Sequence, residues 1–154
     1  MKYCIPAACC CLLLACNNGA STHNDKDSVA IIRTDTIPET RATVNEQPVA
    51  GYHEKVPDEL NNWSFDVRVM ETAKTFHYLL KVQYKEIQAT DTLKIPNIGI
   101  QPQVEVHKGK DPLSCIIGFR DKQHRFREYK SVNVVNEQLK VTTVGHYSVY
   151  DTAR

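Results

Sequence analysis

The chain has almost no net charge, because its 154 residues include 19 Lys and Arg and 18 Asp and Glu. Proteins that bind nucleic acid through their overall charge carry a clear excess of cations, so we expect no nucleic-acid partner. The charges are unevenly distributed, however. Residues 17–60 contain 4 basic and 8 acidic side chains, whereas residues 61–154 contain 14 basic and 10 acidic ones. The C-terminal part is therefore the basic part of the chain.

Local catalytic and metal-binding motifs are also missing. The six glycines are isolated from one another, so the sequence contains neither a phosphate-binding glycine loop nor a Gly-x-Ser-x-Gly nucleophile elbow. No two of the six histidines lie within 15 positions of each other, so no pair has the spacing of metal ligands on one helix or hairpin. We therefore expect a protein that is not an enzyme and that binds no metal.

Disulfide bonds are a further expected absence. Four of the six cysteines lie in an apolar segment at the N-terminus, and a fifth, Cys16, follows that segment directly. If the segment is removed and Cys16 is modified, Cys115 has no partner with which to form an intramolecular disulfide. Its neighbours, Ser114, Ile116 and Ile117, predict that Cys115 is a small buried hydrophobe and not a reactive thiol.

The apolar segment covers residues 4–15. It is too short for a transmembrane helix, which needs about 20 residues, but its length is typical of a secretory signal that follows a basic residue, here Lys2. Its end, Leu13-Leu14-Ala15-Cys16, resembles the bacterial lipobox. This resemblance implies that residues 1–15 are a signal peptide and that Cys16 carries a covalent diacylglycerol and an N-acyl chain, with no other cofactor. An ordinary secretory signal, cut after Ala15 or Ala20, is the alternative.

The residues after Cys16 indicate a location. Lipoproteins with Asp after the cysteine tend to stay at the inner membrane of enterobacteria, whereas this chain has Asn17. The N-terminus is similar to that of lipoproteins of the Bacteroidota, but the acidic patch of their surface-exposed members is missing, because residues 17–22 are uncharged and the first acid is Asp25. The resemblance therefore implies a lipid-anchored outer-membrane protein that faces the periplasm.

Residues 16–60 are predicted to form the lipidated N-terminus and a flexible polar tether. Their low hydrophobicity and net negative charge leave little surface to bury. A flexible chain of this length has a typical reach of roughly 35 Å and spans about 145 Å when fully stretched. Residues 29–32 form one apolar cluster, which could instead be a strand that pairs with a partner or with an edge of the domain.

From Trp63 onward, apolar and polar residues alternate with the period of half-buried strands. Turn signals such as Pro96-Asn97 and Asn136-Glu137 divide this region. Eight strands are predicted, at 63–70, 76–85, 92–95, 103–107, 114–120, 126–135, 138–144 and 147–150. This spacing predicts an all-β domain over residues 61–154, namely an antiparallel β-sandwich of immunoglobulin-like or transthyretin-like kind. A small closed barrel is the alternative.

Residues 120–130 contain five Lys or Arg side chains interleaved with aromatic residues. Arg and Tyr often anchor interfaces, so the segment is predicted to be either a docking surface for an acidic partner or a solvated turn and strand face. In the first case, charge reversal at Arg125 and Arg127 should weaken binding without changing thermal stability. The candidate partner-binding residues are Arg120, Lys122, Arg125, Phe126, Arg127, Tyr129 and Lys130.

A second candidate surface contains Ile98 and Ile100. They lie in residues 95–102, a stretch that is interrupted by Pro96, Gly99 and Pro102. Proline cannot donate to a strand ladder, so this stretch is predicted to be an edge strand or a long loop. It either folds over the end of the sandwich or forms an exposed apolar lip that contacts a partner.

The combination of lipid anchor, tether and small β-sandwich looks like that of lipoprotein subunits of secretion systems, including the type VI system. This analogy implies a structural or assembly role in a multiprotein envelope complex, with other envelope proteins as partners. One alternative is a lipoprotein that binds a glycan or a peptide, which is disfavoured because the single tryptophan, Trp63, is in phase with the core. Another alternative is a periplasmic inhibitor or immunity-type binder.

Overall fold

Ten β-strands account for the secondary structure of the described part of the chain. The computed structural model describes residues 37–58 and 60–147, together with the backbone of residues 28–33 and 148–151. Within these ranges, no helix is long and apolar enough to cross a membrane. The strands are β1 Ser28–Arg33, β2 Ala50–Lys55, β3 Ser64–Glu71, β4 His77–Tyr84, β5 Ile87–Lys94, β6 Val104–Lys108, β7 Ser114–Arg120, β8 Phe126–Val135, β9 Gln138–Thr143 and β10 His146–Asp151. Each of the eight predicted strands overlaps one of β3 to β10.

Eight of these strands form two four-stranded antiparallel sheets. The strand orders are β2-β3-β4-β5 in the first sheet and β6-β7-β8-β9 in the second, so each sheet follows the chain as a meander. The prediction of an all-β, antiparallel β-sandwich is confirmed. Its connectivity is simpler than the Greek key of immunoglobulin domains, because the chain passes from the first sheet to the second only once, between β5 and β6.

The core lies between the two sheets and follows from strand alternation. Phe65, Val67 and Val69 of β3 are fully buried, and they belong to the same cluster as Ile117 and Phe119 of β7. Burial of one such side chain contributes about 1.5–3 kcal/mol, so a core of this size stabilises the domain without a disulfide. Trp63 packs at the margin of this cluster and is half-buried.

The domain begins earlier than predicted. Residues 50–55, which we assigned to the tether, form β2 and pair with β3, from Ala50 opposite Val69 to Lys55 opposite Ser64. The sequence of β2 contains one large apolar residue, Tyr52, so its periodicity is weak. The prediction of a tether that reaches residue 60 is therefore wrong, because the ladder of β3 orders a segment that has little apolar surface of its own.

The apolar cluster at residues 29–32 lies within β1. This strand pairs in parallel with β10, from Ser28 opposite His146 to Arg33 opposite Asp151, and the two form a separate two-stranded sheet. The alternative prediction of a strand at these residues agrees with this pairing, but the strand does not extend an edge of either four-stranded sheet.

Residues 37–47 are also attached to the domain, and Arg41 holds them there. Its guanidinium lies 3.1 Å from Glu71 and 4.7 Å from the ring centroid of Tyr78, and only 9% of the side chain is exposed. The planar guanidinium has five donors in a fixed fork, so it can reach several backbone carbonyls at once. It donates to four carbonyls of the β3–β4 connection at 2.5–3.4 Å, those of Thr72, Lys74, Thr75 and His77. We call this arrangement the Arg41 clamp.

Two hairpin turns join the sheets at one end of the sandwich. Asn136 and Glu137 both have positive φ, 50° and 61°, as a two-residue type I′ turn requires. The Glu137 carboxylate accepts hydrogen bonds from the Tyr84 hydroxyl at 3.0 Å and from Lys85 Nζ at 2.5 Å. The β8–β9 turn is thereby connected to the β4–β5 turn of the opposite sheet.

Candidate interaction site

The predicted basic segment is organised around one buried carboxylate. Asp121 is 4% exposed, and its Oδ1 accepts hydrogen bonds from the backbone N–H groups of Gln123 and Arg125, both at 2.9 Å. Its Oδ2 accepts from Arg125 Nε at 3.1 Å and from Arg127 Nε at 2.8 Å. Burial is the largest influence on this carboxyl and raises its pKa, but these donors together outweigh it and the pKa is lowered. Asp121 therefore fixes the β7–β8 turn and pairs with two of its cations.

Arg120 is paired in a similar way on the neighbouring strand. Its Nε and Nη2 donate to the two carboxylate oxygens of Glu105 at 2.6 and 3.1 Å, and its Nη1 donates to the carbonyl of His124 at 2.6 Å. The hydrogen bond from Arg120 is the main reason why the pKa of Glu105 is lowered. This two-point geometry is the strong form of a guanidinium–carboxylate pair.

The aromatic residues of the segment also have partners within the domain. Phe126 stacks on His107 with ring centroids 4.0 Å apart and planes 13° apart. A Cβ atom on Gly118 would lie 2.7 Å from the Phe126 ring, so a glycine at this position allows the ring to lie against the strand. Tyr129 packs edge-on against Phe119 and Tyr147, at 6.4 and 5.7 Å.

Lys130 connects the two sheets. Its Nζ lies 2.5 Å from Asp91 Oδ2 on β5, and its side chain is 12% exposed. Burial, the largest influence on the Asp91 carboxyl, raises its pKa, but the bonds from Lys130 and from the Thr92 N–H outweigh it and lower the pKa.

The segment therefore supports the fold directly. Four of its five cations, Arg120, Arg125, Arg127 and Lys130, form ion pairs with carboxylates of the same domain. The fifth, Lys122, is half-buried in the β7–β8 turn. A role of this segment in partner binding stays a prediction, but the expectation that reversal at Arg125 and Arg127 leaves stability unchanged does not fit the pairing with buried Asp121.

The isoleucines at 98 and 100 do not form an exposed lip. Ile98 is 2% exposed and belongs to the core cluster, and Ile100 is half-buried against that cluster. The Asn97 side chain accepts a hydrogen bond from the Gly99 N–H at 3.0 Å, and Gly99 has a φ of 76°. Of our two interpretations, the loop folded over the end of the sandwich is the correct one.

Cys115 is fully buried, as predicted, and burial raises its thiol pKa to about 12. A thiol with this pKa stays protonated at neutral pH and is therefore a poor nucleophile. Within the described residues, no group of three or more His, Cys, Asp or Glu side chains could hold a metal ion.

A different set of cations lies on the outer face of the first sheet. Each strand of this sheet contributes one exposed cation to a diagonal line that we call the cationic stripe. Arg68 and Lys81 lie directly opposite each other in the β3–β4 register. Among the residues that the structure describes, no carboxylate lies within ion-pair distance of any member of the stripe. The members are Lys55, Arg68, Lys81 and Lys94.

Our reading of the sequence missed this stripe. Its members lie 13 residues apart along the chain, at positions 55, 68, 81 and 94, so no local window contains two of them. Their regular spacing matches the repeat of one strand plus one turn in a four-stranded meander. This spacing is the sequence signal from which the stripe could have been predicted.

The predicted signal peptide and the predicted lipidation residue Cys16 lie outside the described residues. No protein-family model, no curated protein and no solved structure matches the chain.

Proposed function

We propose that this chain is a lipid-anchored lipoprotein of the outer membrane that faces the periplasm. In this proposal the β-sandwich is a structural or assembly subunit of a multiprotein envelope complex, for which a secretion system such as type VI is the example by analogy. The location rests on the lipobox-like end of the signal, Leu13-Leu14-Ala15-Cys16. With two or three acyl chains on Cys16, attachment to the membrane would be effectively permanent.

The observation that carries the binding role is the cationic stripe. Arg41, Arg120 and Arg127 form ion pairs with carboxylates of the domain, whereas the members of the stripe are exposed and unpaired among the described residues. The second sheet also has exposed lysines, such as Lys108 and Lys140, but the stripe places four cations on one sheet face. Exposed charges of one sign steer the encounter with a partner of the opposite sign and fix its orientation. A domain that is rigid, small and charged on one face suits a subunit that is held in place by its neighbours.

Affinity purification from detergent-solubilised envelopes tests this proposal. We expect the tagged chain to carry lipid on Cys16, seen as an added mass on the N-terminal peptide, and to retain a fixed set of envelope proteins. Replacement Cys16→Ser should abolish both the added mass and the retention of partners. Replacement Cys11→Ser is the matched control, because it also removes a cysteine thiol but leaves the acceptor intact.

Two results would contradict the proposal. Purification of the lipidated chain as a monomer without companions would exclude the assembly role and favour a small ligand. The lipid anchor would be excluded by a Cys16→Ser chain that stays in the membrane and keeps its partners. Its processed mass would then equal that of the processed wild-type chain apart from the substitution itself.

A further inference from the structure

The cationic stripe has a defined length and direction. The ladder places Lys55 opposite Ser64, four residues before Arg68, and places Lys94 opposite His77, four residues from Lys81. Four residues of an antiparallel strand span about 14 Å, and neighbouring strands lie about 4.8 Å apart. The stripe therefore crosses all four strands diagonally over roughly 30 Å, about the length of nine residues of extended chain.

Repulsion between like charges at the centre of the stripe lowers the stability of the isolated domain. Like charges that lie directly opposite each other on one sheet face destabilise the pairing, and Arg68 and Lys81 occupy such positions. Asp66 is the one carboxylate that the described strands place on this face, and it already accepts hydrogen bonds from His53, at 2.7 Å, and from Ser64. Burial raises the pKa of Asp66, but the bonds from Ser64 and His53 and the charges of His53 and Arg68 outweigh it, so Asp66 offsets part of the Arg68 charge. A carboxylate that pairs directly with Arg68 or Lys81 would have to come from a partner.

The residues around these two cations favour a peptide chain, and not a flat charged surface, as the partner that binds there. A depression of about 230 Å³ lies beside them and is lined in part by the amides of Gln83 and Gln88 and by Thr90. Amide and hydroxyl groups can donate to and accept from a peptide backbone, whereas the cations pair with carboxylates. The site is therefore a line of cations bordered by neutral hydrogen-bonding groups.

We propose that the stripe binds an extended acidic segment of a partner protein, with carboxylates paired to Arg68 and Lys81 at its centre and to Lys55 and Lys94 at its ends. This names the chemistry of the partner for the assembly role proposed above and rests on that role. The binding itself requires no lipid, so it is testable apart from the anchor.

Fluorescence anisotropy with a labelled nine-residue peptide rich in Glu and Asp is the direct test. The full chain, in mild detergent, should bind this peptide and not the peptide in which every acid is replaced by its amide. Raising the ionic strength from about 0.01 M to about 1 M shortens the Debye length from about 30 Å to about 3 Å and should abolish binding. The double reversal Arg68→Glu with Lys81→Glu should weaken binding about tenfold or more.

The matched control is the double reversal Lys108→Glu with Lys140→Glu. It changes the net charge equally but alters exposed lysines of the second sheet. We expect it to retain peptide binding to within about threefold. Equal losses in both double variants would overturn the proposal, because they would show a response to overall charge.

A membrane surface is the competing occupant. Full-chain Cys16→Ser protein is therefore mixed with phosphatidylglycerol and with phosphatidylcholine vesicles, so that the apolar N-terminal segment contributes to both. A preference for phosphatidylglycerol that Arg68→Glu with Lys81→Glu removes, without any peptide binding, would overturn the proposal in favour of lipid headgroups. Peptide binding that depends on the stripe, with no partners found in envelopes, would support this site and contradict the assembly role alone.

Discussion

The basic segment of the second sheet and the cationic stripe of the first sheet use their cations in different ways. On the second sheet, Arg120 and Arg127 are close in sequence and lie against carboxylates of the same domain. On the first sheet, Arg68 and Lys81 are distant in sequence, adjacent in space and without a paired carboxylate among the described residues. Local charge density in the sequence therefore identified cations that pair within the domain, and the line of exposed cations on the first sheet became visible only with the strand register.

The largest effect is expected for Arg41, the most completely paired cation. Arg41→Ala would remove one donor from each of four carbonyls, of which those of Lys74 and His77 keep the Thr72 hydroxyl, and would leave Glu71 without its ion-pair partner. We therefore expect a loss of about 3 kcal/mol in the free energy of unfolding, measured with denaturant. Residues 37–47 should also become sensitive to protease. Arg41→Lys keeps the charge but not the planar fork, and full stability in that variant would contradict the clamp.

Arg127 comes next. Arg127→Glu would place a second carboxylate beside buried Asp121, and we expect a loss of about 2 kcal/mol. The exposed control Lys140→Glu, with the same change in charge, should alter stability by less than about 0.5 kcal/mol. If the two variants have the same midpoint in urea, the cations of the β7–β8 turn are solvated and the contrast between the sheets disappears.

The pH dependence of stability provides a smaller test. The pKa of Asp121 is lower in the folded protein than its ordinary value of 3.8, so its ionised form stabilises the fold above that value. This contribution is lost as the pH falls through the folded pKa. The melting temperatures of wild type and Asp121→Asn should therefore differ most near neutral pH and converge as the pH falls below the lowered folded pKa. A difference that is independent of pH would show that the charge of Asp121 is unimportant.

The smallest effect is expected for the stripe. Arg68→Thr removes one member of a like-charge pair and introduces a β-branched residue on a strand, so stability should stay within about 0.5 kcal/mol of wild type or rise slightly. Lys81→Thr is the reciprocal variant and should behave in the same way. A loss of 2 kcal/mol in either variant, roughly the size expected for a buried pair, would show that the stripe supports the fold.

Periodicity was sufficient to predict most of the fold. The alternation in β3 and β4 reports the burial of residues such as Phe65 and Leu80 directly, and the Asn136-Glu137 turn is a local conformational signal. The sequence of β2 has no such signal, because its pairing with β3 comes from the backbone ladder. The order of the strands in each sheet could not be predicted from local sequence patterns either, because it depends on pairing between separate segments.

The site was harder to predict, because charge pairing is a long-range property. Arg120 and Glu105 are 15 residues apart and Lys130 and Asp91 are 39 apart, so a local window cannot show that they neutralise each other. The 13-residue repeat of the stripe is present in the sequence, but it has meaning only once the strands are known to form a meander.

If Cys16 carries the proposed lipid, the pairing of β1 with β10 limits the distance between the domain and the membrane. Eleven residues, 17–27, separate Cys16 from β1, and fully extended they allow at most about 43 Å between the two. A lipid on Cys16 would then keep the sandwich close to the bilayer. A tether that reached residue 60 would instead allow the sandwich to move much farther from the bilayer. Encounters with another membrane-bound protein would become effectively intramolecular, so even a weak contact of the sandwich would be highly occupied.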